Sequence, residues 1–346
     1  MRIAITADPY LPVPPRLYGG IERVVDMLAR GLSARGHQVT LFAHPDSRAP
    51  GCLVPYGAPP HFGARARLTE LGQVGGGLWR RRREIDVIHS FGRLAGLLPV
   101  LGLRGLPKIQ SYQRAVPWRG VKVAQQLAGH SLCFTACSDS LYGARLGEVS
   151  GGTKWRTIYN GVETARYDAV SSVPSDAQLV FLGRLEPIKG AHHAIAIARA
   201  AGRRLVIAGN RVEASAEYFT TRIAPHLEAP DVTYLGAVDD RRKNALLGSA
   251  AALLMPVEWD EPFGLVMAEA LACGTPVIGF ARGSVPEIVR DGVNGYVART
   301  VEEAAQAVHR LAAIDRKAVR ADCEARFGDR VVVDGYERLY REMLAR

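Results

Sequence analysis

"MRIAITADPYLPVPPRLYGGIERVVDMLARGLSARGHQVTLFA", residues 1–43, decides the reading of the whole chain. Short apolar runs at Arg2–Ala7 and Gln38–Ala43 bracket a stretch where Ile21, Val24, Val25, Leu28 and Leu32 recur at helical spacing. Gly36 follows as a stop signal. Strand candidates continue at Asp86–Ser90, Lys108–Tyr112 and Leu132–Cys137. A second series follows at Gln178–Gly183, Arg204–Gly209, Val232–Gly236, Ala252–Val257 and Pro276–Phe280. Helical patterns near His192–Ala201, Lys243–Ala250 and Gly264–Cys273 separate members of that series. Strands alternating with helices form parallel sheets covered on both faces. Two series predict two doubly wound α/β domains with a cleft between them.

The expected division is 1–168 and 169–329, with the polar "ETARYDAVSSVPSDAQ", Glu163–Gln178, as linker. In open α/β sheets, ligands bind beyond the carboxyl ends of the strands. Neither a Gly-x-Gly-x-x-Gly fingerprint nor a Walker loop is present, which counts against a dinucleotide dehydrogenase and a P-loop enzyme.

The chain has 346 residues, of which 48% are hydrophobic and 23% charged, an ordinary globular balance. Its longest apolar run, Leu94–Leu103, is interrupted by Gly96 and Pro99 and is too short to span a membrane. The N-terminus lacks a signal-peptide layout. Five cysteines, odd in number and mostly far apart, with Cys133 and Cys137 too few for a zinc site, point to reduced thiols in a cytoplasmic protein. The net charge of +10 is unevenly placed: residues 1–168 hold 22 Lys+Arg against 11 Asp+Glu, and the remainder 22 against 23. An acidic partner should therefore meet the N-terminal half. Within it, "WRRRREID", Trp79–Asp86, is either a solvated helix face or a surface for an anionic acceptor or for anionic lipid at the inner face of a membrane. Nucleic acid is not expected, because no aromatic and basic residues interleave.

Three places could carry chemistry. Gly19 and Gly20 open the first helix, where backbone N–H groups and the helix dipole suit a phosphate. Arg184 and Lys189 follow a strand in "FLGRLEPIKG" and are placed to neutralise a diphosphate. In "VEWDEPFGLVMAEALACGTPVIGF", Val257–Phe280, the carboxylates Glu261 and Glu269 lie in an apolar run, where unpaired charge is costly. One reading pairs Glu269 with an arginine and makes Glu261 a helix cap. The other makes them clamps for the sugar and ribose hydroxyls of a nucleotide sugar. Spacing alone leaves the two level.

"EPFGLVMAE" with its E-x7-E spacing, "GRLEPIKG", "IYNGVE", "PYLPVPPRLYGGIERVV" and "GSVPEIVRDGVNGYV" together resemble glycosyltransferase family 4, of GT-B fold. The similarity runs in order from Met1 to about Val301, and "DGYERLYREML" resembles the family's final helix, which returns to the N-terminal domain from about 330–346. The resemblance implies two Rossmann-like domains facing across a cleft. It implies retaining transfer of a sugar from a nucleotide-diphosphate sugar, without a cofactor or metal, in glycan, glycolipid or polysaccharide biosynthesis. The acceptor would be a sugar, a lipid-linked glycan or a small molecule. Glu261, Lys189 and Arg184 would carry the transfer. Phe263, Gly264 and Leu265 would offer backbone N–H groups to sugar and phosphate, Glu269 would hold the ribose, and Gly19 and Gly20 would approach the diphosphate. The expected chemistry is front-face attack, with the departing phosphate taking the acceptor's proton.

One departure stands out. Where the family often has a histidine near the reacting sugar, this chain has Gln113, flanked by Tyr112 and Arg114. A glutamine can hydrogen-bond a hydroxyl but cannot act as acid or base. Tyr112, Gln113 and His89 are therefore candidates beside the acceptor or sugar, with His89 better suited to a structural role. His192 and His193 read as surface or helix-packing residues rather than metal ligands. Two other readings remain: a non-catalytic sugar-nucleotide or glycan-binding subunit of the same fold, and, less well supported, an epimerase or phosphorylase of GT-B type.

Overall fold

The computed structural model describes residues 1–16, 19–57, 63–143 and 155–345. Leu17 and Tyr18 of the proline- and glycine-containing loop lie outside them. The chain forms two units: Met1–Asn160 with the segment from Asp329 onward, and Gly161–Gly328. Among the described residues, no helix is long and apolar enough to cross a membrane.

The first unit holds β1 (Arg2–Thr6), β2 (Gln38–Ala43), β3 (Cys52–Pro55), β4 (Val87–Ser90), β5 (Lys108–Tyr112), β6 (Leu132–Ala136) and β7 (Trp155–Thr157). They pair in parallel in the order β3-β2-β1-β4-β5-β6-β7. Strands β4, β5 and β6 are buried at every position, as expected of strands covered on both faces. The helix Gly20–Ala34 buries Val24, Val25, Leu28 and Leu32, the apolar stripe legible in the sequence.

The helix Asp329–Leu344 belongs to this first unit for identifiable reasons. Tyr336 and Tyr340 are fully buried on it. The Tyr340 hydroxyl lies 2.6 Å from His89 Nδ1, and His89 Nε2 lies 2.6 Å from Ser111 Oγ. Arg35 and His37 reach Glu337 at 2.6 and 2.9 Å. Gly31 allows close approach, since a Cβ there would come within 2.5 Å of Val333.

The second unit holds β8 (Leu179–Leu182), β9 (Leu205–Ala208), β10 (Val232–Tyr234), β11 (Ala252–Met255), β12 (Val277–Phe280) and β13 (Gly295–Ala298). Their parallel order is β10-β9-β8-β11-β12-β13. Each sheet reverses its winding once, between β1 and β4 in one unit and between β8 and β11 in the other. Such a reversal leaves a crevice at the carboxyl ends of the two strands.

The segment expected as a linker, Glu163–Gln178, is largely bound within the second unit. Val162 N–H donates to Phe327 O at 2.9 Å. The Arg320 guanidinium reaches the carbonyls of Thr164 and Tyr167, each at 3.0 Å, and Arg316 reaches Val170 O at 2.8 Å. The change of unit thus falls at Asn160–Gly161, ahead of the expected 168 and 169. Polar composition misled here because the segment is held by its backbone carbonyls, which composition does not register.

Candidate active site

Both expected cation positions follow β8. Arg184 comes after Gly183, and its guanidinium lies 2.9 Å from Glu186. Lys189 ends the short turn Pro187–Lys189. Gly190 then takes the left-handed conformation, with φ 75°, and starts the helix Ala191–Ala200. Only glycine fits there, because a Cβ would meet Pro256 O at 1.9 Å. That contact sets the turn carrying Lys189 against the loop following β11.

The same loop carries Glu261, so Arg184, Lys189 and Glu261 all stand at the β8/β11 reversal. Lys189 Nζ donates to Glu261 Oε2 at 2.6 Å. The Trp259 indole N–H donates to the same oxygen at 2.9 Å, and its ring lies 4.6 Å beneath the ammonium. Glu261 is buried, so these partners offset the cost of its charge. Gly283 and Ser284 brace the loop from the far side. A Cβ on Gly283 would lie 2.3 Å from Glu261 N, and Ser284 N–H donates to Glu261 O at 2.9 Å. Ser284 Oγ donates to Phe263 O at 3.0 Å.

Glu261 does not cap the next helix. Gly264 occupies the N-cap position of Leu265–Ala272 with φ 71° and offers no side chain, so the first backbone N–H groups of this helix have no side-chain cap. Such an end attracts an anion. Phe263 contributes backbone alone, since its ring is buried edge-on against Phe327 at 5.7 Å. Leu265 is the first helical residue and is half-buried.

Glu269, within this helix, is also buried and paired. Lys243 Nζ donates to its Oε1, and Tyr167 OH donates to the same atom at 2.9 Å. The partner is a lysine from the helix Asp240–Ser249, where the sequence suggested an arginine. Lys243 was legible in one respect: it shares a face with Leu246 and Leu247 and is buried with them. Both carboxylates thus take their two side-chain bonds on one oxygen.

In the first unit, Gly19 is the N-cap of Gly20–Ala34, with φ 156°. A Cβ there would meet Pro15 at 2.7 Å and Glu22 Oε2 at 2.8 Å. Burial, reinforced by the charge of Asp8, raises the Glu22 carboxyl above its ordinary range. Gln113 Oε1 accepts from Asn160 Nδ2 at 2.6 Å. The other two candidates, Tyr112 and His89, are core residues. Tyr112 is buried in a stack with Phe134 and Trp155, at ring separations of 6.1 and 5.7 Å. His89 is fully buried between Ser111 and Tyr340, and burial lowers it to about 3, which keeps the ring neutral. Neither is placed to meet a sugar. A small cavity at the β1/β4 reversal is lined by Asp8, Tyr10, Tyr56, Glu70 and Arg93, none of which the sequence had singled out.

Two doubly wound parallel sheets, one of them with cations and an uncapped helix end at its strand reversal, are the frame of a GT-B protein. Residues 18–166 match the model for Glycosyltransferase Family 4, and residues 167–326 match that for glycosyl transferases group 1. The chain belongs to glycosyltransferase family 4 and is an enzyme of that class. It is 29% identical to a glycogen synthase of Mycobacterium tuberculosis, over 85% of this chain and 81% of that one. It is 26% identical to a phosphatidyl-myo-inositol mannosyltransferase of Mycobacterium leprae, over 89% and 86%. Among solved structures it resembles a glycosyltransferase involved in avilamycin A biosynthesis, with TM-score 0.73, 28% identity and coverage of 99% and 98%. Sucrose-phosphate synthase from Thermosynechococcus elongatus shares the fold at TM-score 0.79 and 21% identity, over 99% of each chain. Nothing in these likenesses supports the non-catalytic reading.

Proposed function

We propose that the chain transfers a sugar, with retention of configuration, from a nucleotide-diphosphate sugar to a hydroxyl acceptor in glycan, glycolipid or polysaccharide synthesis. The observation that carries this reading is the pairing of Lys189 with Glu261 at the β8/β11 reversal. In this reading the donor separates the pair. Lys189 turns to the diphosphate with Arg184, and Glu261 accepts from sugar hydroxyls. The helix end at Gly264 and Leu265 supplies N–H groups to the phosphate, and Glu269 holds the ribose. Gly19 and Gly20 offer further backbone donors. Charge on the leaving group is met by these cations and helix ends, so the chemistry needs no metal or cofactor. The departing phosphate takes the acceptor's proton. Gln113 orients a hydroxyl as a hydrogen-bond partner.

The basic first unit suits an acceptor carried on an anionic surface. Trp79 is exposed beside the arginine run, Leu68 is exposed next to Arg67 on the same helix, and Val123 and Leu127 are exposed beside Arg119 and Lys122. Apolar side chains among cations favour peripheral contact with anionic lipid. A cytoplasmic setting agrees with five free cysteines, four of them buried.

The deciding experiment measures nucleoside diphosphate release from a panel of nucleotide sugars with EDTA present. Wild type should turn over one donor, and Glu261→Gln and Lys189→Ala should each lose about a hundredfold or more. Near-normal turnover by both folded variants would sink the assignment. Melting shifts with UDP, GDP, ADP, CDP and TDP would identify the base, because a ligand that binds the folded state raises the midpoint.

A further inference from the structure

Two histidines that donor binding leaves unused converge on one carboxylate. His192 and His193 stand in the first turn of the helix Ala191–Ala200, and Glu258 stands on the loop after β11. His193 Nε2 lies 2.7 Å from Glu258 Oε1, and His192 Nε2 lies 3.4 Å from the same oxygen. One ligand atom from each of the three residues falls within 4.8 Å of the others. The two imidazole centroids are 4.1 Å apart.

The surroundings hold these groups in place. His192 Nδ1 lies 2.8 Å from the Tyr218 hydroxyl, which also accepts the His192 backbone N–H at 3.2 Å. A hydrogen bond on the outer nitrogen is what fixes the ring and tautomer of a metal-bound histidine. The ring of His193 packs against Phe280 at 5.5 Å. Glu258 N–H donates to Ile188 O at 2.9 Å, which ties the carboxylate's backbone to the turn before the histidines.

Zinc at bond lengths of about 2.0–2.1 Å sets tetrahedral ligand atoms about 3.3 Å apart. The 3.4 Å separation already suits that spacing, and the 2.7 Å hydrogen bond needs only slight widening. Two imidazoles and a carboxylate favour zinc and its first-row neighbours over magnesium or calcium, which prefer all-oxygen sets. The exposed Glu258 side leaves the fourth position to water.

We propose that His192, His193 and Glu258 bind a divalent transition-metal ion, zinc foremost, outside the sugar-transfer chemistry. The ion joins the start of the helix Ala191–Ala200 to the loop after β11. Those two segments also carry Lys189 and Glu261. The binding itself does not rest on the sugar-transfer reading.

Calorimetric titration of the metal-stripped full chain with ZnCl2, with MgCl2 as a separate arm, tests the site. Wild type should bind one zinc per chain and give no magnesium isotherm. His193→Ala and Glu258→Gln should each weaken zinc binding about tenfold or more, and Tyr218→Phe about tenfold. Circular dichroism checks the fold of each variant. If His193→Ala does not fold, Glu258→Gln carries the test, since its side chain is 42% exposed. Absence of zinc binding by wild type would overturn the proposal. So would unchanged binding in Glu258→Gln, or an equal response to magnesium. Donor turnover by wild type is a separate readout, so failure here and failure of the transfer reading are distinguishable.

Discussion

Lys189 and Glu261 stand 72 residues apart in the chain and meet at 2.6 Å, with the Trp259 indole bonded to the same carboxylate oxygen. Removing either charge strands the other in a half-buried site, which should cost about 3 kcal/mol of stability. The double variant Lys189→Met with Glu261→Gln should recover most of that loss, because neither charge is left alone. It should not recover turnover. Urea midpoints together with nucleoside diphosphate release read the two effects separately. Recovery of both would reduce the pair to a structural ion pair.

Glu269 offers a sharper division of labour. If it holds ribose, Glu269→Ala should weaken nucleoside diphosphate binding about tenfold to a hundredfold and leave inorganic diphosphate affinity unchanged. Calorimetry with both ligands decides this. Equal losses for the two would place the effect on the phosphate side.

The neutral His89 ring gives the first unit a pH dependence. Its folded value is about 3 against an ordinary 6.5, so the unfolded chain takes up a proton first as pH falls. Stability is therefore full above about pH 6.5 and is lost between there and about pH 3, at up to about 1.4 kcal/mol per pH unit. His89→Phe should flatten that slope while lowering the plateau, because Ser111 and Tyr340 lose their partner. Urea midpoints from pH 4 to pH 8 are the measurement, and identical slopes would remove His89 as the cause.

Two left-handed glycines separate backbone conformation from close approach. Gly292, with φ 74° and open space around it, should tolerate alanine at about 1 kcal/mol. Gly190 has nearly the same φ, but its Cβ would lie 1.9 Å from Pro256 O. Gly190→Ala should lose well over about 3 kcal/mol or fail to fold. Thermal melts of the two variants make the comparison, and similar losses would refute the role given to the Pro256 contact.

The sequence made strands β8, β9 and β11 legible because burial on both faces writes them as continuous apolar runs. Of the four edge strands it found only β10 (Val232–Tyr234). Strand β3 (Cys52–Pro55) has only four residues, ends at a proline and is partly exposed, and β7 (Trp155–Thr157) has three, with polar Arg156 and Thr157. Strand β13 (Gly295–Ala298) is buried but only four residues long and begins at a glycine. The carboxylates at the site stood out for their apolar neighbours. Their partners did not, because Lys243 and Tyr167 reach Glu269 from other segments, 26 and 102 residues away. Arg316 was equally silent, since it reaches the carbonyls of Val170, Gly248 and Ala250 and no acidic residue marks the contact.

If Lys189 and Glu261 both meet the donor, their pairing makes donor capture an exchange rather than a filling. A free sugar could take Glu261 from Lys189, but it would leave the ammonium without a counter-charge. A free phosphate could take Lys189, but it would leave the carboxylate stranded. Only a molecule presenting hydroxyls and phosphates together satisfies both ions at once. On that reading, selectivity against the fragments of the donor is set in the resting state, before the acceptor arrives.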